Sequence, residues 1–328
     1  MKKRRLGDSG LEVSIVGLGT WVMGGYMWGG SDDELAKGAI LRSVELGVNL
    51  IDTAPVYGFG RSESLVGKVL KGTKMRHDVI LSTKCGLEWD DSKKHIRRNS
   101  QKERVLFEID QSLRRLQTDY IDLYQVHWPD KSVPFEETLE AMLKLKKEGK
   151  IRAIGVSNYS REQMEAFDKG KYLVGNQVPY NIFERDVEKD VMDFAIKHNI
   201  GILAYGTLCR GLLTGKFDVD VTFPEGDLRR DDPKFKGDAF KEHLMAVEAF
   251  KDLASSLGQN VTSFATRWVI DQMGVTSALC GARTAKQIEG PVKADTFKIP
   301  KDIFKEVDER LKECIFKPIS PAFMAPPE

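Results

Sequence analysis

Short runs of Val, Ile and Leu recur along this chain, and each is followed by a longer stretch whose apolar positions return every three to four residues. The runs fall at residues 13–19, 49–54, 79–84, 120–128, 151–157, 173–179, 200–205 and 277–282, eight in all. Near-continuous apolar runs are what strands buried on both faces require, as in a parallel sheet. The stretches between them read as helices with marked ends. Ser31-Asp32-Asp33-Glu34 supplies a cap-like Ser and acidic first-turn residues ahead of Leu35 to Leu46, with Gly47 as the stop. Pro134-Phe135-Glu136-Glu137 opens a helix that ends at Gly149, Ser160-Arg161-Glu162-Gln163 begins another, and residues 187–198 make a further one. Strands alternating with helices of these lengths predict βαβ units. Eight such units predict an α/β fold closed into a (β/α)8 TIM barrel.

Two features lie outside this repeat. Residues 3–6 and 12–13, around Asp8-Ser9-Gly10, predict a small N-terminal hairpin placed to plug the barrel bottom. Residues 206–236, rich in Gly, Pro and charge, form an excursion ahead of a long helix near 239–257. An excursion of that length without periodicity marks a functional or mobile loop. Extra helices are expected after the last strand. No linker divides the chain, so residues 1–328 are read as one barrel domain.

Composition narrows the function. The chain is 41% hydrophobic and 30% charged with a net charge of +1, and Lys and Arg are scattered among Asp and Glu. No strong field draws it to nucleic acid or to anionic membranes. The basic start Met1-Lys2-Lys3-Arg4-Arg5 is not followed by an apolar stretch, so it does not read as a signal peptide. No segment approaches 18 consecutive apolar residues. Cys85, Cys209, Cys280 and Cys314 lie far apart and read as reduced thiols. A cytoplasmic monomer acting on a small molecule is the expectation.

Active sites of α/β barrels sit at the C-terminal ends of the strands, so the polar residues that end the runs are the candidates. Asp52 ends the second run, with Tyr57 five residues on; Lys84 ends the third, after Ser82-Thr83; His127 ends the fourth. Singly, such residues cap turns, face solvent or satisfy hydrogen bonds. Together they place an acid, a phenol, an amine and an imidazole at one mouth. A Lys inside a barrel needs a countercharge, and Asp52 is the nearest candidate. The set suits carbonyl reduction, which needs a hydride donor and an acid to protonate the forming alkoxide. A neighbouring ammonium stabilises phenolate, which predicts a Tyr57 pKa lowered toward the working range and a decline of reduction at alkaline pH. A neutral His127 would orient and polarise the substrate oxygen.

At these residues the chain resembles the aldo-keto reductase superfamily, and the resemblance covers essentially its whole length. The segments that carry it are Gly17-Leu18-Gly19-Thr20-Trp21, Asp52-Thr53-Ala54-Pro55-Val56-Tyr57-Gly58, Ser82-Thr83-Lys84 and Asp122-Leu123-Tyr124-Gln125-Val126-His127-Trp128. Further along come Gly155-Val156-Ser157-Asn158-Tyr159, Gln177-Val178-Pro179-Tyr180-Asn181, Ala204-Tyr205-Gly206 and Gly281-Ala282-Arg283. It looks most like bacterial general-stress and inositol-operon reductases and is similar to potassium-channel β subunits. The resemblance implies an NADPH-dependent reductase of aldehydes and ketones with Tyr57 as general acid, Lys84 as its partner, Asp52 as support and His127 as the orienting group. It further implies that Thr20, Trp21 and Asp52 border the cofactor. Ser157, Asn158 and Gln177 would hold the nicotinamide carboxamide and Tyr205 would stack on its ring. Gly206, Thr207, Leu208, Arg210 and Lys216 would wrap the pyrophosphate, and Gly281, Arg283 and Gln287 would bind the adenosine end. The chain departs from the usual family pattern at Gly206-Thr207-Leu208, and at Pro291, where an Asn is common.

Rival readings are a metal hydrolase, a Schiff-base aldolase using Lys84, and a non-catalytic NADPH-sensing module resembling the channel β subunits. The first usually needs His-x-His where this chain has Gly17-Leu18-Gly19, and no metal-ligand cluster is read. The same Gly-x-Gly lacks the third glycine of a Rossmann turn. Trp21, Trp28, Trp89 and Trp128 follow strands 1, 3 and 4 and predict aromatic walls for an apolar aldehyde or ketone.

Overall fold

Each of the eight apolar runs forms a parallel strand, and the strands close on themselves. In this computed structural model, which describes residues 1–93 and 95–327, they are β1 (Val16–Gly19), β2 (Leu50–Asp52), β3 (Ile80–Cys85), β4 (Ile121–Val126), β5 (Ile151–Ser157), β6 (Leu173–Pro179), β7 (Gly201–Tyr205) and β8 (Val275–Gly281). Their order is β6-β7-β8-β1-β2-β3-β4-β5, so each strand pairs with its neighbours in the chain. β3 and β4 are buried at every position, as strands covered by side chains inside and helices outside must be.

The bottom of the barrel is plugged as the sequence predicts. Lys3–Arg5 and Glu12–Ser14 pair antiparallel. Leu6, Leu11 and Val13 pack against Leu50, Ile80, Leu123, Ala153, Val174, Leu203 and Leu279 inside the barrel. A second, larger core lies between the strands and the surrounding helices.

Helix ends follow the sequence with local corrections. Ser160 and Gln163 form a complete capping box on Arg161–Phe167. The cap of Asp33–Glu45 is Asp32, not Ser31: its carboxylate accepts from the Leu35 amide. The helix expected over 187–198 is divided into a short turn, Asp186–Glu188, and Val191–Lys197. The excursion after β7 is built of tight turns at Cys209–Thr214, Leu228–Arg230 and Pro233–Phe235, and two helices, Gly237–Ser256 and Val261–Asp271, lead back to β8. After the barrel come Lys301–Cys314 and a turn at Pro321–Met324.

Strand register sets the mouth. Asp52 lies opposite Gly19 and Ser82, Lys84 opposite Gln125, Gln125 opposite Gly155, and Ser157 opposite Gln177. Side chains alternate along a strand, so Ser82 and Lys84 turn inward while Thr83 turns outward to Glu63 of Arg61–Thr73.

Candidate active site

Asp52 ends β2, and the loop after it returns Tyr57 to the mouth. That loop is pressed against the turn Trp21–Gly24: a Cβ on Gly24 would lie 2.5 Å from the Tyr57 carbonyl carbon, and one on Gly58 would lie 2.2 Å from the Gly24 oxygen. Both glycines are therefore needed for the close backbone approach that places the phenol. The Tyr57 ring stacks on Trp21 at 5.9 Å and meets His127 edge-on at 5.8 Å.

The four candidate side chains converge. Lys84 Nζ donates to Asp52 Oδ2 at 2.7 Å, to the Thr53 carbonyl at 3.0 Å and to the Tyr57 hydroxyl at 3.2 Å. Lys84 is fully buried, so the Asp52 carboxylate is what makes its charge tolerable. Burial lowers the Lys84 pKa, and Asp52 opposes that shift. Burial also pushes the Tyr57 phenol well above its usual value, with the charge of Asp52 adding to it. The expected lowering toward neutrality is thus reversed, because desolvation of the phenolate and the charge of Asp52 act in the same direction. His127 is held well below the ordinary imidazole range by burial and by Lys84. Phenol and imidazole both stand neutral.

Tyr57, Asp52 and His127 line a cleft of about 710 Å³, and so does every residue named above for the cofactor. Lys84 stands behind this wall. Around the nicotinamide candidates a hydrogen-bond chain joins four strands, β7, β5, β6 and β2. The Tyr205 hydroxyl donates to Asn158 Oδ1 at 2.9 Å, and Asn158 Nδ2 donates to the His127 carbonyl at 3.0 Å and to Ser157 Oγ at 3.1 Å. Ser157 Oγ donates to the Gln177 carbonyl at 2.8 Å, and Gln177 Nε2 donates to Asp52 Oδ1 at 2.8 Å.

Farther along, Lys216, Arg229, Arg283, Lys286 and Gln287 share the wall. Among the described residues Asp227 pairs with Arg229, through Oδ1 at 2.8 Å and Oδ2 at 2.5 Å. Burial, then repulsion from Arg229, lowers the pKa of both Lys216 and Arg283. Like charges crowd here without full compensation, so this end fits an anion. Arg283 Nη2 is fixed by the Trp28 carbonyl at 2.7 Å, and Gln287 Oε1 accepts from the Arg283 amide at 2.7 Å. Arg210 also lines the cleft, with its guanidinium tied to the residues behind it. Its guanidinium is taken by Glu184 and by Asp232 Oδ2 at 2.6 Å, in a buried quartet completed by Lys234. It holds the turn, and it shares the cleft wall with Gly206 and Gly211.

Three of the four tryptophans, Trp21, Trp28 and Trp128, line the cleft; Trp89 stands behind it, against Phe59 at 5.4 Å. Sequence reasoning missed several wall groups, Arg229 and Lys286 among them. Leu87 and Ile96 come from a ribbon, Leu87–Trp89 with Ile96–Arg98, and Met324 and Pro326 from the C-terminal tail, whose Pro326 carbonyl accepts from Arg98 Nη2 at 3.0 Å. A Leu-Glu-Trp triplet and a Pro-rich tail carry no periodic signal that would have found them. Among the described residues no group of three or more His, Cys, Asp or Glu is placed to hold a metal ion. No helix among them is long and apolar enough to cross a membrane.

Comparison with known proteins agrees with this geometry. The chain is 47% identical over 328 residues to the aldo-keto reductase YhdN of Bacillus subtilis, covering all of this chain and 98% of that protein. It is 33% identical over 307 residues to the NADH-specific methylglyoxal reductase of Escherichia coli, covering 90% and 93% of the two chains. The solved glycerol dehydrogenase AKR11B4 of Gluconobacter oxydans superposes with a TM-score of 0.89 at 45% identity, over 99% of each chain. The Aldo/keto reductase family model matches residues 15–312. With the closed eight-stranded barrel and the polar cluster at its mouth, these matches show that the chain belongs to the aldo/keto reductase family.

Proposed function

We propose that this protein is an NADPH-dependent carbonyl reductase in which Tyr57 gives a proton to the oxygen of an aldehyde or ketone. The reading rests on a neutral phenol, 3.2 Å from the Lys84 amine, on the cleft wall beside a neutral imidazole. When bound, the reduced nicotinamide supplies the hydride. The chain's own groups do the rest. Tyr57 holds the proton to be transferred. Lys84 stabilises the phenolate as it forms, so its role is in the transition state rather than in the resting pKa. Asp52 keeps Lys84 charged and in place, and a ring N–H of His127 orients the substrate oxygen.

Ser157, Asn158 and Gln177 would hold the carboxamide of the cofactor. Gln177 directs its Nε2 to Asp52, which leaves its oxygen as the acceptor. Tyr205 would stack on the ring, held by its bond to Asn158. Gly206, Thr207, Leu208, Arg210 and Lys216 would surround the pyrophosphate, and Gly281, Arg283 and Gln287 the adenosine end. The cationic wall at Lys216 and Arg283 supports the phosphorylated cofactor. Trp21, Trp28 and Trp128 with Leu87 and Ile96 present an apolar wall, which suits an uncharged carbonyl compound. The four free thiols accord with a cytoplasmic location.

The test is NADPH oxidation across a panel of aldehydes, ketones and dicarbonyls, with Tyr57→Phe beside the wild type. The variant keeps the ring and removes the acid. It is expected to lower kcat by roughly 10²–10⁴-fold with cofactor affinity unchanged. Retention of more than about a tenth of the activity would remove Tyr57 from this role.

A further inference from the structure

Asp52 collects more donors than its ion pair requires. Oδ2 faces Lys84 at 2.7 Å, while Oδ1 accepts from Gln177 Nε2 at 2.8 Å, Ser82 Oγ at 3.0 Å and Gln125 Nε2 at 3.3 Å. Gln125 Nε2 also donates to Ser82 Oγ at 2.8 Å, which turns the Ser82 proton toward the carboxylate. Gln177 belongs to the cleft wall. Ser82 and Gln125 do not: both are fully buried and neither lines the cleft.

Gln125 has the marks of a residue kept for one end of its amide. Nε2 makes two hydrogen bonds, whereas Oε1 is buried without a partner among the described residues. An unpaired amide oxygen in a buried position is unfavourable, and Leu would fill similar space without it. Turning the amide over would set its oxygen against the Asp52 carboxylate, so the orientation is dictated by charge. Room for the side chain comes from the facing strand. A Cβ on Gly155 would lie 2.9 Å from Gln125 Cγ and 3.4 Å from Oε1.

We infer that Ser82 and Gln125 are positioning residues for the reduction: they fix Oδ1 of Asp52, so that Oδ2 stays on Lys84 and the Lys84 ammonium stays within reach of the Tyr57 hydroxyl. The inference rests on the reductase reading above. A carboxylate released on one side rotates about its terminal bond toward its remaining donors. Lys84 Nζ follows it and leaves the phenol oxygen. The damage then falls on proton transfer, not on binding, because neither residue touches what the cleft holds.

The experiment compares Ser82→Ala, Gln125→Leu and Tyr57→Phe, measuring kcat, KM for a carbonyl substrate, cofactor Kd by fluorescence, and Tm. Ser82→Ala and Gln125→Leu are each expected to lower kcat about tenfold, the scale of one hydrogen bond to a charged group. KM and cofactor Kd should stay within about twofold of wild type, a split that a loosened barrel would not give. If Tyr57→Phe loses activity while both variants keep full kcat, the positioning role is overturned and the reductase reading stands. If Tyr57→Phe retains activity, the reading itself fails. Parallel loss of kcat and cofactor binding would overturn the inference in favour of a purely structural role. Should Gln125→Leu fail to fold, Ser82→Ala, which removes a single oxygen, decides the matter alone.

Discussion

Burial holds both Tyr57 and His127 neutral, acting with opposite sign on their pKa values. The phenol is pushed up, since phenolate would be stranded near Asp52, and the imidazole is pushed down, since imidazolium would face Lys84. A raised phenol pKa keeps the proton on Tyr57 up to and past about pH 10, and a lowered imidazole pKa keeps His127 uncharged to below about pH 6.5. The kcat for reduction is therefore expected to be flat between about pH 6.5 and 9, with any alkaline fall displaced above the ordinary tyrosine range. A pH-rate profile checks this: steady decline between about pH 7 and 9 would show that Lys84 outweighs burial at the phenol. The four polar residues were legible in the sequence because each ends or closely follows an apolar run, where solvated side chains are out of place. Their pKa directions were not, because desolvation depends on what covers a group. Ser82 and Gln125 escaped for a related reason: inside a buried strand, a polar residue shows its purpose only once its cross-strand partner is known.

Strands and hairpin divide the work between the two ends of the barrel. Leu6 leads the bottom plug: it is fully buried, and Cβ atoms on Gly175 and Gly201 would lie 3.2 Å and 2.6 Å from its Cδ1. The mouth, with Asp52, Lys84 and His127, lies at the opposite ends of the strands. Leu6→Ala is expected to reduce unfolding stability by about 2–5 kcal/mol, the range for a Leu removed from a packed core. The kcat of the folded fraction should hold within about twofold, since the cavity opens far from the chemistry. Thermal melting with kinetics below the transition makes the comparison, and a large fall in kcat would mean that the plug controls the mouth. All eight barrel strands could be read from the chain, because burial on both faces leaves an unbroken apolar signature. The hairpin was legible instead from its turn, Asp8-Ser9-Gly10, since Lys3–Arg5 is largely exposed. The ribbon Leu87–Trp89 with Ile96–Arg98 was not legible. Its two three-residue strands include Glu88, Arg97 and Arg98, so neither gives an apolar run. The short turn Asp186–Glu188 and the helix Val191–Lys197 read as one helix in the sequence because their apolar positions continue across the break.

Across the whole molecule, one wall of the cleft is assembled from segments far apart in the chain. Lys216 and Arg229 come from the excursion after β7, Arg283 from the turn after β8, and Trp28 from the loop after β1. Arg229 and Arg283 both lie over the Trp28 ring, at 5.5 Å and 5.9 Å, and the Trp28 carbonyl fixes Arg283. The buried quartet of Glu184, Arg210, Asp232 and Lys234 anchors the excursion that brings the first two cations there. Relatives divide on the cofactor: the Escherichia coli protein is named NADH-specific, while a Schizosaccharomyces pombe aldo-keto reductase, 30% identical over 310 residues, is named for NADP(+). The choice here must come from the chain's own charges. NADPH differs from NADH by one phosphate on the adenosine ribose, and a group that meets that phosphate should discriminate. Arg283 suits the task. One nitrogen is held by Trp28, which leaves further N–H donors on a pre-oriented guanidinium, and Asp227, the nearest acid that raises its pKa, is already paired with Arg229. A charged hydrogen bond of this kind contributes roughly 1.5–3 kcal/mol, or about 10- to 150-fold in affinity. Arg283→Ala should thus weaken NADPH binding by at least about tenfold while NADH binding barely moves. Fluorescence titration of both cofactors against both proteins measures it. Equal weakening of the two would mean that Arg283 holds the Trp28 loop in shape and does not read the phosphate. A wild type that already prefers NADH would set aside the cofactor choice while leaving the Tyr57 chemistry to its own test.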